Sequence, residues 1–258
     1  MDPEVRAVVE ADLHSQLSKR FGSSAVAGKF LAGLEASTRS SYEYVNGRYL
    51  IRAADLEELD QTSRFLVQDL IPEAAVGEVI ADYGCGKTWV LTSLTVAVAF
   101  GLEFFDRECK QGSVLYLAYE GRRRLVTRLG ASLHSHGRLP EGFSPSDLAG
   151  LLKDRVIVAD MPAQFDDPNF ERALGDTIRE HGVVLVIIDT RNKSLGADQS
   201  EDSNDAAGQV NGMLSRVAEA EGATIISAHH TGHGQKERGR GASGWTQGVD
   251  FSFRIVGN

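Results

Sequence analysis

The chain has 258 residues, 42% of them hydrophobic and 24% charged, and a net charge of −9. That length suits one large α/β domain with a small appendage, and the acidic total excludes a protein that coats duplex DNA over its whole surface, while leaving room for a few basic loops. The two cysteines, Cys85 and Cys109, form neither a CxxC pair nor a zinc spacing, which excludes a disulfide framework and indicates a reducing compartment.

Taken in chain order, residues 1–16 are too polar for a signal peptide. Residues 5–19 read as a helix. Residues 43–52 alternate around Asn46-Gly47, a strong hairpin signal, and 53–60 read as a second short helix. Residues 1–64 form an N-terminal appendage or docking region, and its function is not readable. Residues 65–258 form the core. Strand-like runs fall at 76–81, 114–119, 155–159, 183–189 and 223–229, with a last one at 249–256. Residues 87–100 are apolar nearly all round, as a helix buried against a sheet should be. Leu125, Leu129 and Leu133 make a helical stripe, and Val210, Met213, Leu214 and Val217 make another. Strands alternating with helices predict an α/β fold, a mainly parallel sheet flanked by helices. Sheets of this kind often continue past such a last strand, so the core reads as truncated. The apolar run 89–105 is broken by Thr92, Ser93, Thr95 and Glu103 and falls short of the roughly 20 residues a membrane span needs. The expected setting is cytoplasmic, with no membrane partner.

Residues 81–88 follow a strand and open a helix, the context that the phosphate loop G-x-x-x-x-G-K-[ST] requires. Gly84 and Gly86 let backbone N–H groups curl round an anion, and the helix beginning at Lys87 aims its positive end at the phosphates. Lys87 is expected to reach the β/γ-phosphates and Thr88 to ligate Mg²⁺ through its hydroxyl. Cys85 and Trp89 complete the nucleotide-binding set. Ala81 stands where the first glycine belongs. It fits only if the residue keeps strand angles, and Asp82 adds a negative charge beside the loop.

Six apolar residues lead into Asp189, which an interior strand delivers to the carboxyl edge of the sheet. There it can hold Mg²⁺, or it can cap the next turn. Glu120 ends another strand and is placed to orient and deprotonate a water; the rival reading is an acid at the start of the helix that follows. His229 and His230 close a strand, where one can donate to a γ-phosphate. With His233 nearby, a metal site is the rival reading.

These residues together resemble the RepA-like replicative helicases of plasmids and phages, a RecA-superfamily branch related to the DnaB helicases. The resemblance runs from Phe65 to Asn258. It rests on residues 66–72, Gly86-Lys87-Thr88-Trp89, Val114-Leu115-Tyr116-Leu117-Ala118 with Glu120, Ile187-Ile188-Asp189-Thr190, Ala228-His229-His230-Thr231-Gly232 and Arg240-Gly241-Ala242-Ser243. It implies a RecA-like P-loop core, a homo-oligomer forming a ring of about six subunits, and ATP-driven movement on single-stranded DNA, with ATP and Mg²⁺ as cofactors. It also implies Lys87 and Thr88 at the phosphates and Mg²⁺, Glu120 as catalytic carboxylate and Asp189 as the Mg²⁺ acid. His230 becomes the γ-phosphate sensor and Arg240 an arginine finger reaching a neighbour's site, with Arg238 and Arg254 as alternatives for the finger. A replication partner protein is a further expectation.

Two polar stretches, 191–205 and 231–246, read as loops leaving the carboxyl edge. Arg191, Lys193, Lys236, Arg238 and Trp245 are the candidate DNA contacts; the acidic run 198–205 suits a solvated loop instead. An ATP-gated module that binds DNA or a partner and hydrolyses slowly without unwinding is the alternative function. A structural or regulatory protein with a degraded site is the third reading, opposed by the intact Lys87, Glu120 and Asp189.

Overall fold

The computed structural model describes residues 42–45, 48–51, 64–139, 142, 144–160, 163–197, 199–232, 235–239 and 241–256. The chain divides into two compact units, Met1–Ser63 and Arg64–Asn258. In the first, β1 (Tyr42–Val45) and β2 (Arg48–Ile51) pair antiparallel, Tyr42 opposite Ile51 and Val45 opposite Arg48. This is the hairpin that the alternation around Asn46-Gly47 predicts. The helices expected over 5–19 and 53–60 lie outside the described residues.

The second unit opens with a short antiparallel ribbon, β3 (Phe65–Val67) and β4 (Ile71–Pro72). Then follow β5 (Val76–Ala81), α1 (Lys87–Phe100), β6 (Ser113–Ala118), α2 (Arg122–Ser135), α3 (Pro145–Leu152) and β7 (Val156–Asp160). After them come α4 (Phe170–His181), β8 (Val183–Asp189), α5 (Arg191–Ser194), α6 (Asn204–Glu221), β9 (Thr224–Gly232), β10 (Gln235–Gly239), α7 (Gly244–Gln247) and β11 (Phe251–Ile255). Among the described residues six strands lie in the order β11-β5-β9-β8-β6-β7, and every neighbouring pair among them is parallel. The short β10 runs the other way, on β9.

The continuous apolar runs follow from burial on both faces. Successive strand residues point to opposite sides. Leu185 and Ile187 of β8 therefore join α1 and the Leu125, Leu129, Leu133 stripe of α2 in one core cluster. Val186 and Ile188 join Leu174 and Ile178 of α4 and Val210, Met213, Leu214 and Val217 of α6 in the other. Both helical stripes read from the sequence are core. α1 is held at both ends by left-handed glycines, Gly86 before it and Gly101 after it, the latter's N–H reaching the carbonyls of Ala97 and Val98.

Parallel strands share one carboxyl edge, and the register brings chemistry to it. Ala81 lies opposite His230, and Ala118 lies opposite Asp189. The predicted strand over 114–119 stops one residue early because the N–H groups of Tyr119 and Glu120 both turn to the Asp189 carbonyl, at 2.8 and 3.0 Å. The stretches 191–205 and 231–246 are corrected from loops. The first holds α5 and the start of α6; the second holds the end of β9, all of β10 and all but the last residue of α7. Polar, charged residues hide these elements from a reading based on apolar period.

Candidate functional site

β5 delivers Ala81 to the edge as a fully buried strand residue. The strand angles that alanine needs are therefore met, and glycine is not required there. The chain then turns, Cys85 N–H donating to the Asp82 carbonyl at 3.3 Å. Gly84 and Gly86 sit at φ 82° and 85°, and a Cβ on either would meet nothing within 4 Å. Glycine is needed at both for backbone conformation rather than space. Gly86 caps α1 without a side-chain bond, so the first-turn N–H groups, which have no intrahelical partner, are open to an anion and carry the positive end of the helix dipole.

They face a cleft of about 370 Å³. Gly84, Gly86, Lys87, Thr88, Trp89, Glu120, Asp189 and His230 line it, together with Asp82, Tyr83 and Arg128. Cys85 lies between the loop glycines without lining the cleft. Lys87 is buried, and its ammonium donates to the His229 carbonyl at 3.2 Å and to His230 Nδ1 at 3.1 Å. Accepting that bond puts the neutral His230 ring proton on Nε2. Burial pushes the Lys87 ammonium below its ordinary range, and Asp189 and Glu120 pull it back up.

Asp189 is buried as well. Its Oδ2 accepts from Tyr116 Oη at 2.8 Å and from Thr88 Oγ1 at 3.2 Å. Burial raises its carboxyl, the Tyr116 and Thr88 hydrogen bonds and Lys87 lower it, and Glu120 raises it further. Asp189 is thus spent on Thr88 and Tyr116 rather than on a cap, since Thr190 caps α5 with no side-chain bond. Glu120 makes no capping bond but directly precedes Gly121, the left-handed N-cap of α2, so it lies at the start of that helix as well as lining the cleft. Thr88 Oγ1 and Asp189 Oδ2 are adjacent hard oxygen donors, the set Mg²⁺ prefers. The positive-φ glycines, free helix N–H groups and Lys87 fit a polyphosphate.

The two histidines part company. His230 lines the cleft, its ring stacked near Tyr83 with centroids 6.5 Å apart. His229 is buried, with Nδ1 3.5 Å from Glu201 Oε1. Among the described residues no group of three or more His, Cys, Asp or Glu side chains is placed to hold a metal ion, and His233 lies outside them. Asp82 receives a hydrogen bond from Thr231 Oγ1, which ties the loop to the end of β9.

Sequence reasoning missed Tyr116 and Arg128. Tyr116 reads as one more apolar strand position. Arg128 flanks the Leu125–Leu129 stripe, and its guanidinium lies 5.9 Å from the Trp89 ring centroid. Two expected DNA contacts are corrected. Arg191 is buried against Glu78, Nη1 to Oε2 at 3.0 Å, and faces the ring of buried Trp245 at 4.5 Å. Core packing consumes both side chains. Lys193 is exposed. Arg240 and the side chains of Lys236 and Arg238 lie outside the described residues. Arg254 is exposed on β11, opposite Ile80, and does not line the cleft.

Among the described residues no helix is long and apolar enough to cross a membrane. No curated protein matches the chain. Among solved structures it is similar to one titled as an ATPase domain, at 15% identity and a TM-score of 0.53, over 89% of this chain and 81% of that one. At that identity the likeness establishes the fold, a RecA-like P-loop core. A family model described as an AAA domain matches residues 47–236, a span that takes in the phosphate loop, Glu120, Asp189 and both histidines. That match covers well over half of the chain and contains the cleft described above, and the chain belongs to the AAA domain family.

Proposed function

We propose that this chain is a Mg·ATP-hydrolysing ring motor of the RepA-like replicative helicase type, working on single-stranded DNA in the cytoplasm. The observation that carries the reading is the convergence of Lys87, Thr88, Glu120, Asp189 and His230 on one cleft at the carboxyl edge. The loop N–H groups and Lys87 hold the β/γ-phosphates, and Lys87 gives up His230 Nδ1 to do so. Thr88 and Asp189 hold the metal. Mg²⁺, when bound, neutralises charge developing on the phosphate oxygens. Glu120 orients a water and takes its proton as the water attacks, while His230, released from Lys87, donates from its ring to the γ-phosphate. Arg240 of an adjacent copy completes the site in trans, and the ring has about six subunits by analogy with such motors.

The second reading is an ATP-gated module that binds DNA or a partner protein without unwinding. The burial of Arg191 and Trp245 favours it, because two of the expected DNA contacts are committed to the core. ATPase rate with and without single-stranded DNA, strand displacement and solution mass decide between them. DNA-stimulated turnover with strand separation by a ring-sized particle supports the motor. DNA binding and slow turnover without separation support the module. A folded protein that neither binds nor hydrolyses ATP overturns both.

A further inference from the structure

A cluster of polar contacts centres on Glu201, which does not line the cleft. Its backbone carbonyl accepts from Ala242 N–H at 3.0 Å and from Trp245 Nε1 at 2.8 Å. Its carboxylate turns to the strand ends. Oε2 accepts from Asn192 Nδ2 at 2.7 Å, and Oε1 lies 3.5 Å from His229 Nδ1. Gly241 presses on the same residue: its φ is 92°, and a Cβ there would lie 2.3 Å from the Glu201 carbonyl oxygen. Three segments therefore meet at one residue. They are the stretch just after Asp189, the end of β9, and the segment that begins at Gly241, which Arg240 directly precedes in sequence. The link reaches the phosphate site, because the His229 carbonyl holds the Lys87 ammonium.

We propose that Glu201 is a positioning residue, which fixes the segment from Gly241 to Trp245 against the ends of β8 and β9 and passes to it the change that triphosphate makes at Lys87. Resting on the reading of the cleft as a Mg·ATP site, it adds a route from that site to the segment joined to Arg240. The chemistry suits the task. A carboxylate accepts from Asn192 through one oxygen and turns a second, negatively charged oxygen to the His229 ring, whereas a glutamine of the same shape is neutral, with one acceptor oxygen and a competing donor. Trp245 reports on the far end: it is fully buried, hydrogen-bonded to Glu201 and stacked on Arg191.

The chain has two tryptophans, so 5-fluorotryptophan labelling gives two fluorine resonances, and the loss of one in Trp89→Phe assigns both. On saturation with Mg·AMP-PNP the Trp89 resonance, in the cleft, should shift, and so should that of Trp245. In Glu201→Gln the calorimetric affinity for Mg·AMP-PNP should stay within roughly threefold and the Trp245 shift should vanish. Its kcat should fall about two- to thirty-fold at unchanged KM, the range that coupling through such networks spans. Gly241→Ala strikes the same residue at its backbone carbonyl, on the side of the Gly241–Trp245 segment, and should give the same split. A Trp245 resonance unmoved by nucleotide while Trp89 shifts overturns the inference alone. So does a Glu201→Gln protein with a lower melting temperature but an intact Trp245 response and kcat. No nucleotide binding at all overturns the reading of the cleft and the inference with it.

Discussion

Lys87 holds the positive charge of the phosphate site while buried, and this makes its protonation a measurable part of binding. Its pKa is pushed below 10.5 by burial. At alkaline pH a fraction of the free protein therefore carries a neutral amine, and a bound polyphosphate favours the ammonium. The sign follows: binding takes up protons as the pH rises toward the lowered Lys87 pKa and weakens above it. Calorimetry in buffers of different ionisation enthalpy should show that uptake, and Lys87→Ala should remove it together with nucleotide binding and hydrolysis. Glu120→Gln separates the next step. It keeps the shape and removes the base, so nucleotide should still bind while hydrolysis slows at least about a hundred-fold; an unchanged rate would return Glu120 to a structural role. At this scale the sequence exposed the loop, because Gly84, Gly86, Lys87 and Thr88 need fixed spacing to wrap an anion. It did not expose Tyr116 or Arg128, whose roles depend on which strand and helix face the cleft rather than on spacing. The strand pattern alone did not separate His229 from His230, since which strand face each one takes is decided by the neighbouring strands; only the family resemblance singled out His230.

The interior strand β5, next to edge strand β11, carries a buried acid, Glu78, paired with Arg191 from the start of α5 and bonded to Ser252 Oγ of β11 at 3.2 Å. Arg191 Nη2 lacks a hydrogen-bond acceptor, and the guanidinium lies instead over the Trp245 ring, an attraction that offsets part of the loss. One ion pair thus ties β5, α5, α7 and, through Ser252, β11. Removing one partner leaves a buried unpaired charge, so Arg191→Ala should cost about 3–5 kcal/mol in denaturant unfolding. The double replacement Glu78→Leu with Arg191→Met should cost markedly less, because no charge is stranded. Equal losses in single and double variants would show that packing rather than charge sets the cost. The elements with strong apolar signals were legible to the residue: β5, α1 and β8 span the predicted limits. β10 and α7 were not, because β10 is polar throughout and α7 is a single four-residue turn around Trp245, too short to show a helical period. β10 forms through its pairing with β9, while α7 is held by Asn211, whose Nδ2 donates to the carbonyls of Gly244 and Trp245, both at 3.1 Å.

In the proposed ring, assembly decides whether the cleft is complete. In the proposed site Lys87 is the cation that meets the phosphates from the loop side, and a transferring γ-phosphate needs positive charge on its other side as well. Arg128 also lines the cleft, with its guanidinium 5.9 Å from the Trp89 ring centroid; in the ring reading a further arginine covers the outer face of the phosphate. Arginine suits that position because its planar fork matches phosphate oxygens. Arg240 precedes a segment anchored on Glu201, and in the ring reading it reaches the nucleotide of the next copy. Arg240→Ala should then bind Mg·ATP with near-normal affinity and hydrolyse it about 10³–10⁵ times more slowly, the size of effect an arginine finger has. Mixing it with Lys87→Ala protein should restore part of the rate, because one class of interface pairs an intact Lys87 site with an intact Arg240. The restored rate should depend on mixing ratio and vanish under dilution that dissociates the particle. If Arg240→Ala stays active, Arg238→Ala and Arg254→Ala locate the finger by the same complementation. Full activity in a strictly monomeric preparation, or no rescue at any ratio despite proven co-assembly, would show that each site is complete within its own chain.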